Sequence, residues 1–302
     1  MEQIRLLNTA NIEKKLIFVT GKGGVGKSSV AGALSLNFIK QGEKVLLIEL
    51  EKPSTIRTFF PQSHPNRLLH HLDLKVMDSE ESLKEYVLKI IKLGVLYKVA
   101  FENKVFQIFL NASPGIKELI LLGHIHYLLE NSSYDRIVVD MPASGHALEY
   151  LEVPKIIAKF MSSGPLFKIA QTVQATLQKS ALLYVSLPEE LSLSETFDFC
   201  EKLKTKLGKV PDFIILNQFF SWRFESEEEC KIFEDIKHKL YKYPEFETFK
   251  VSIKFLETYF GKSAYYNTQL ENKFGNKLVR IPFLFSERWE HKALEEVSTY
   301  LK

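Results

Sequence analysis

The chain has 302 residues, of which 25% are charged, and its formal net charge is +3. This length is sufficient for one large α/β domain or for a domain that carries a sizeable insertion. The small net charge does not require nucleic acid or an acidic membrane as a partner, and we expect no nucleic acid. The cysteines, Cys200 and Cys230, are far apart and form no C-x-x-C pair, which argues against a disulfide framework or a thiolate metal cluster.

The first residues, MEQIRLLNTANIEKK, contain acidic side chains and no apolar core of the length typical of a signal peptide. No later run approaches the roughly 18 apolar residues that a membrane-spanning helix needs. We therefore expect a cytoplasmic protein that contacts a membrane only through a partner.

A strand, a glycine-rich loop and a helix are predicted in this order near the start of the chain. The apolar run 16–19 is typical of a buried parallel strand, and a helix is predicted from Val30 onward. The loop between them matches G-x-x-x-x-G-K-[ST], in which backbone N–H groups and a helix N-terminus surround a phosphate. We predict that Lys27 pairs with the β- and γ-phosphates and that Ser28 places its hydroxyl on Mg²⁺. The nucleotide-binding residues predicted here are Gly21, Lys22, Gly23, Gly24, Val25, Gly26, Lys27, Ser28 and Ser29.

Strand-like runs alternate with helical ones along the rest of the chain. This alternation predicts an α/β fold, with a mostly parallel twisted sheet flanked by helices as in a phosphate-loop NTPase, in a single domain over 1–302. Ligands bind such sheets at the carboxyl ends of the strands, where the glycine-rich loop lies. The predicted later strands are 45–50, 136–141, 182–187, 213–217 and 278–283.

Two mainly helical stretches, at about 54–133 and 149–179, interrupt the alternation and predict an inserted helical subdomain, with one extra strand at 72–77. Aromatic residues in YKVAFENKVFQIFL and FMSSGPLF are compatible with an apolar groove for a helix of a protein client. Packing of these faces inside the core is the alternative.

A second site is predicted in YDRIVVDMPASGHALEYL, where an apolar strand ends at Asp140. Phosphate-loop enzymes hold Mg²⁺ with an aspartate at such a position, directly or through water. An aspartate that only caps the following helix is the alternative. Because Lys27 and Ser28 accompany it, we predict that Asp140 is a metal-binding and catalytic residue.

The segments GKGGVGKSS, DMPASGHAL, LPEELSLSETFDF, IILNQ and RIPFL occur in an order that resembles the ArsA family of arsenite-pump ATPases. That family includes the eukaryotic ATPase that delivers tail-anchored membrane proteins. The resemblance runs over nearly the whole chain and implies a Mg²⁺-dependent ATPase that binds ATP and ADP and forms a nucleotide-switched homodimer. It also implies that Lys22 is the signature lysine, which reaches across the dimer interface to phosphates bound by the other subunit. Such a cation supplied in trans is comparable to an arginine finger.

The resemblance implies further roles for particular residues. Asn217 is expected to hydrogen-bond adenine, and Pro282 and Phe283 to lie in the loop that closes over the base; for Pro282, a proline that merely ends a strand is an equal alternative. The family has a D-P-A-H switch whose aspartate orients the attacking water, and this chain has LLIELEKPSTIRTFF instead. Glu51 is the aligned acid and Glu49 the alternative, because either carboxylate can polarise water.

Departures from the family pattern change the expected function. The residues 52–53 that follow Glu51 differ from the family switch, which predicts slow or differently gated hydrolysis. Without C-x-x-C pairs a zinc-bridged dimer is not expected, and two separated cysteines do not provide the three thiolates that arsenite needs.

Three functions follow from these patterns. The leading hypothesis is an ArsA-type ATPase that couples ATP binding and hydrolysis to the binding or release of a partner. The second is a nucleotide-dependent chaperone or targeting factor for apolar helices with slow turnover. The third is a ParA/MinD-like positioning ATPase, which shares the doubled-lysine loop. Against the third stand DMPASGHAL with its helical inserts and the mixed charge of the last residues, WEHKALEEVSTYLK.

Overall fold

The computed structural model describes residues 12–50, 54–60, 70–77, 85, 115–220, 226–285 and 291–301. Seven strands are present in these residues: β1 (Leu16–Gly21), β2 (Val45–Glu49), β3 (Leu72–Val76), β4 (Arg136–Ala143), β5 (Ala181–Ser186), β6 (Phe213–Phe219) and β7 (Leu278–Pro282). The α-helices are α1 (Lys27–Lys40), α2 (Ile56–Phe59), α3 (Ile116–Asn131), α4 (Ser144–Phe160), α5 (Pro165–Lys179), α6 (Glu190–Leu207), α7 (Glu227–Lys242), α8 (Glu247–Phe274) and α9 (His291–Ser298). Short 3₁₀ turns at Pro244–Phe246 and Gly275–Lys277 precede and follow α8.

The strands form one sheet in the order β3-β2-β4-β1-β5-β6-β7, and every described strand pair is parallel. The α/β fold with a parallel sheet is therefore confirmed. Each predicted strand is present with its ends shifted by no more than two residues, and the extra strand predicted at 72–77 is β3.

Side chains alternate between the two faces of the sheet, and each face has its own apolar core. In β1, Leu16 and Phe18 belong to one core, and Ile17 and Val19 to the other. The first core is covered by α3, α4, α5 and α6, and the second by α1 and α9. Strands buried on both faces are apolar at nearly every position, which is why they were recognisable in the sequence.

The described parts of the two predicted inserts are mainly helical. Helices α3, α4 and α5 pack against one another and against the sheet, with Leu122, Leu151 and Val173 in its first core. A separate helical subdomain stays a prediction, and YKVAFENKVFQIFL lies outside the described residues. In FMSSGPLF, Phe160 is 82% exposed at the end of α4.

The long segment between β6 and β7 forms a helical hairpin that the sequence did not reveal. Helix α7 begins with a Ser226 cap, whose Oγ accepts from the Glu229 N–H at 3.2 Å, and it buries no residue. Helix α8 packs beside β6, β7 and α6 and contributes Leu270 to the first core. No helix within the described ranges is long and apolar enough to cross a membrane.

The end of β1 lies so close to β5 that only glycine fits there. Gly21 has φ 154°, and a Cβ atom at this position would collide with the Val185 carbonyl oxygen, which belongs to the backbone and cannot move aside cheaply. Gly23, two residues further, has open space around its own Cβ position.

We expect Gly21→Ala to lower the free energy of unfolding by about 1–3 kcal/mol, because it overpacks the contact between two central strands. The matched variant Gly23→Ala should change it by less than about 1 kcal/mol. Urea unfolding followed by circular dichroism measures both variants. Equal stability of the two would show that β1 and β5 are not in close contact at Gly21.

Candidate nucleotide-binding site

The glycine-rich loop joins β1 to α1 through two glycines in the left-handed region. Gly24 has φ 82° and Gly26 has φ 90°, and Gly26 is the residue immediately before α1. L residues with a side chain rarely adopt such angles, so the glycine spacing of the motif is a requirement of the backbone. Successive N–H groups in such a loop, together with the N-terminus of α1, form a concave site for an anion.

Asn217 of β6 holds this loop from the side. Its Nδ2 donates to the Val25 carbonyl oxygen at 2.9 Å, and its side chain is buried. The strand is irregular here, since Gln218 has φ 55°, and a Cβ atom at Gly26 would lie 2.5 Å from Asn217 Nδ2. The structure thus places Asn217 against the loop, and its expected contact with adenine stays a prediction.

The two lysines of the loop have different partners. Lys27, the first residue of α1, donates from Nζ to the Lys22 carbonyl oxygen at 3.1 Å, inside the loop. Lys22 directs its own Nζ to Glu195 of α6, with 3.3 Å between Nζ and Oε1. Lys22, the expected signature lysine, is therefore paired with a carboxylate of its own chain.

A buried hydroxyl network fixes the start of α6, the helix that carries Glu195. Ser186, the last residue of β5, lies 3.0 Å from Ser192 Oγ and accepts from Thr196 Oγ1 at 2.9 Å. Ser192 Oγ also accepts from the Leu187 N–H at 2.9 Å. Because these bonds join β5 to the first turns of α6, they place Glu195 next to the loop.

Four oxygen-bearing side chains meet beside the start of α1. Ser28 Oγ donates to Asp140 Oδ2 at 2.6 Å, and Thr55 Oγ1 lies 3.2 Å from Ser28 Oγ. Thr55 also donates to Glu49 Oε1 from both Oγ1 and N, each at 2.8 Å. Asp140 and Glu49 are both buried. The predicted pair Ser28 and Asp140 is thus brought together, whereas Glu51 lies outside the described residues.

The donor set of this cluster is of the type that a hard divalent cation binds. Among the described residues, no group of three or more His, Cys, Asp or Glu side chains is arranged to hold a metal by itself. Mg²⁺ usually shares its ligands between one or two carboxylates, phosphates and waters. Ser28 and Asp140 provide oxygens for such a shared site, so these residues fit the cation that the sequence predicts.

Pro282 and Phe283 border an aromatic pocket next to the end of β6. Phe283 donates its N–H to the Phe219 carbonyl oxygen at 3.0 Å, and its ring centroid lies 4.9 Å from that of Phe220. Phe260 of α8 and Phe285 complete the aromatic wall of this pocket, whose volume is about 410 Å³. Pro282 is the last residue of β7, which agrees with the alternative of a proline that merely ends a strand. Its contact with the adenine base stays a prediction.

Sequence reasoning missed two residues of this site. Thr55 stands four residues after Glu51 in LEKPST, and a hydroxyl so close to predicted switch carboxylates could have been noticed. Glu195 lies in LPEELSLSETFDF, a segment that carried the family resemblance without being given a role.

The chain is similar in sequence to several known ATPases. The chain is 29% identical to the ATPase BagA of Mycobacterium tuberculosis over 210 residues, which cover 63% of this chain and 61% of that protein. It is 25% identical to a protein of Aquifex aeolicus named as an arsenical pump-driving ATPase, over 74% of this chain and 76% of the relative. It is also 27% identical to a Cryptosporidium parvum protein named as an ASNA1 homologue, over 64% of this chain and 52% of the relative. The chain thus spans about three fifths of the length of its mycobacterial relative.

The family model described as anion-transporting ATPase matches residues 14–181, which include the glycine-rich loop, the Ser28–Asp140 pair and helices α3 to α5. This match covers more than half of the chain. The chain therefore belongs to the ArsA family of anion-transporting ATPases.

Proposed function

We propose that this protein is a Mg²⁺-dependent ATP hydrolase that acts as a nucleotide-switched homodimer and couples ATP binding and hydrolysis to the binding or release of a partner. The observation that carries the proposal is the contact of Ser28 with Asp140 at 2.6 Å, directly beside the glycine-rich loop. Membership of the ArsA family and the names of the relatives support the same activity.

The glycine-rich loop and Lys27 bind the ATP phosphates in this proposal. The loop offers backbone N–H groups, and the N-terminus of α1 adds a positive partial charge. Lys27 Nζ already lies within the loop, where it donates to the Lys22 carbonyl oxygen. A phosphate oxygen is a stronger, charge-assisted acceptor than this carbonyl, so we expect Lys27 to exchange one for the other when ATP binds.

Ser28 and Asp140 are the residues that would hold Mg²⁺. When bound, this cation neutralises charge on the β- and γ-phosphates during phosphoryl transfer. Ser28 lies in the first turn of α1 and Asp140 in β4, and both elements pack against β1. Glu51 and Glu49 both stay candidates for orienting the attacking water.

The homodimer is proposed because Lys22 stands at the position of the family's signature lysine. Its ion pair with Glu195 is partly exposed, with 27% of the Lys22 and 38% of the Glu195 side chain accessible to solvent. Exposed ion pairs of this kind contribute less than about 1 kcal/mol, so Lys22 can leave Glu195 at little cost. We propose that, in the dimer, Lys22 moves from Glu195 to the phosphates bound by the other subunit.

A function as a chaperone or targeting factor is favoured by one surface feature. Ile156 and Phe160 lie one helical turn apart on α4 and are 45% and 82% exposed, and Met161 follows at 37%. Apolar side chains at this spacing suit a helix of a client protein. A cytoplasmic location, with no nucleic acid bound, is part of the same proposal.

We expect Lys27→Ala to weaken ATP binding by about 10- to 100-fold, because a charge-assisted contact is worth about 1.5–3 kcal/mol. Lys40→Ala is the matched control, since Lys40 ends the same helix, away from the loop, and donates to Ser298 Oγ at 2.9 Å. Titration with a fluorescent ATP analogue measures both variants. Equal affinities of the two variants would refute the role of the loop in phosphate binding.

The dimer proposal predicts a specific result when two inactive chains are mixed. Lys22→Ala should leave ATP binding nearly intact while lowering turnover and ATP-induced dimerisation. Lys27→Ala should bind ATP poorly but still present Lys22. A finger-type cation is worth about 10³–10⁵ in rate, so turnover should rise measurably in the mixture, because the Lys22→Ala chain binds ATP and receives Lys22 from its partner.

Formation of mixed dimers is checked by pulling down one tagged chain with the other. If mixed dimers form and the rate equals the sum of the separate variants, Lys22 does not act across the interface. The ATP hydrolysis of the unmodified chain, measured with and without Mg²⁺, tests the activity itself.

A further inference from the structure

Glu49 is a buried carboxylate whose role the family resemblance leaves open. It ends β2, only 7% of the residue is exposed, and it is in register with Asp140 on the neighbouring strand. Its Oε2 is buried and has no hydrogen-bond partner among the described residues. Burying a carboxylate oxygen without a hydrogen-bond partner costs free energy of folding. A bound cation would compensate this cost.

The other oxygen of Glu49 is held firmly by Thr55. Glu49 Oε1 accepts from the Thr55 N–H and from the Thr55 hydroxyl, each at 2.8 Å. Two donors on one oxygen fix the rotation of the carboxylate group. The orientation of Oε2 is therefore determined by the backbone and side chain of a single residue.

The cluster has fewer protons than close oxygen contacts. Ser28 and Thr55 each bring one hydroxyl proton, while three close contacts link the side-chain oxygens of Glu49, Thr55, Ser28 and Asp140. The single hydroxyl proton of Thr55 therefore serves its contacts with both Glu49 and Ser28. Two carboxylates beside two hydroxyls provide oxygens of the kind that a divalent cation binds.

The distances in the cluster also suit a small hard cation. Neighbouring ligand oxygens on an octahedron with bonds of 2.0–2.1 Å are about 2.9 Å apart. The contact between Ser28 Oγ and Asp140 Oδ2, two of the ligands proposed below, measures 2.6 Å and is close to that value.

We propose that Glu49 is a second carboxylate of the divalent-cation site, joining Ser28 and Asp140, and that Thr55 is the residue that positions it. This inference rests on the proposed Mg²⁺-dependent function and adds to it. It removes Glu49 from the candidates for orienting the attacking water, because its Oε2 is directed to the cation.

The test measures Mn²⁺ binding rather than turnover. The full chain is saturated with ADP and titrated with Mn²⁺, and the free ion is followed by its electron paramagnetic resonance signal. We expect Glu49→Gln, which keeps the size of the side chain and removes its charge, to weaken Mn²⁺ binding by about 10- to 100-fold. Asp140→Asn serves as the reference for loss of a metal carboxylate.

Variants at Thr55 test whether this residue positions Glu49 without binding the cation itself. They also provide a test if Glu49→Gln does not fold. Thr55→Val keeps the N–H donor and loses the hydroxyl, so it should weaken Mn²⁺ binding less than Glu49→Gln does. Thr55→Ser should restore binding to the unmodified level. ADP affinity measured in EDTA should stay within about twofold in all these variants, because none of them removes a phosphate contact of the loop.

The outcomes separate the two proposals. If the unmodified chain with ADP binds no Mn²⁺, the proposed metal-dependent function fails and this inference fails with it. If the unmodified chain binds Mn²⁺ and Glu49→Gln or Thr55→Val binds it equally well, only the inference on Glu49 is overturned. If Glu49→Gln loses ATP turnover but binds Mn²⁺ as well as the unmodified chain, Glu49 instead orients the attacking water.

Discussion

The parallel alignment of β1, β2 and β4 is the constraint on which the candidate site depends. Asp140 pairs in register with Val19 on one side and with Glu49 on the other. Strand side chains alternate between faces, so Asp140 and Glu49 both point to the face that α1 covers, and Ser28 lies in the first turn of that helix. A shift of one residue in either strand would send a carboxylate into the opposite apolar core.

The strands on the other side of β1 shape the loop. The Val185 carbonyl of β5 leaves no room for a side chain at Gly21, and the Asn217 amide of β6 leaves none at Gly26. The same Asn217 donates to the Val25 carbonyl oxygen between the loop glycines. The glycines thus serve two purposes, since they permit left-handed backbone angles and allow neighbouring strands to approach closely enough to hold the loop. Gln218, next to Asn217, has a left-handed backbone conformation, which is strained for a residue with a side chain. It lies where the pairing of β6 with β7 is irregular.

The two loop lysines differ because their surroundings differ. Lys27 begins a helix that is packed on the sheet, so its position relative to the loop is set by the core. Lys22 precedes the left-handed glycines, and its charge is matched by Glu195 at the start of another helix. A weak, partly exposed ion pair keeps a cation near the site without fixing it there. This arrangement is consistent with one lysine that binds phosphate in its own chain and another that is free to change partners.

The sequence by itself determined the elements whose causes are local. Strands buried on both faces are continuous apolar runs, and the loop motif needs glycines at fixed spacing, so β1, the loop and the start of α1 could be placed from consecutive residues. The same holds for Asp140, which follows an apolar strand directly.

Only the tertiary structure decided which distant residues join them. Thr55 bonds to Glu49 six residues before it, Glu195 reaches Lys22 from α6, and Asn217 bonds to Val25 across 192 residues of chain. The alternation predicts a polar or amphipathic stretch after β6, and only the structure shows that it forms a hairpin of two helices, the first of which buries none of its residues. Local patterns report which face of an element is apolar, whereas partners across the sheet follow from strand order and register, and these are set by the packing of the whole core.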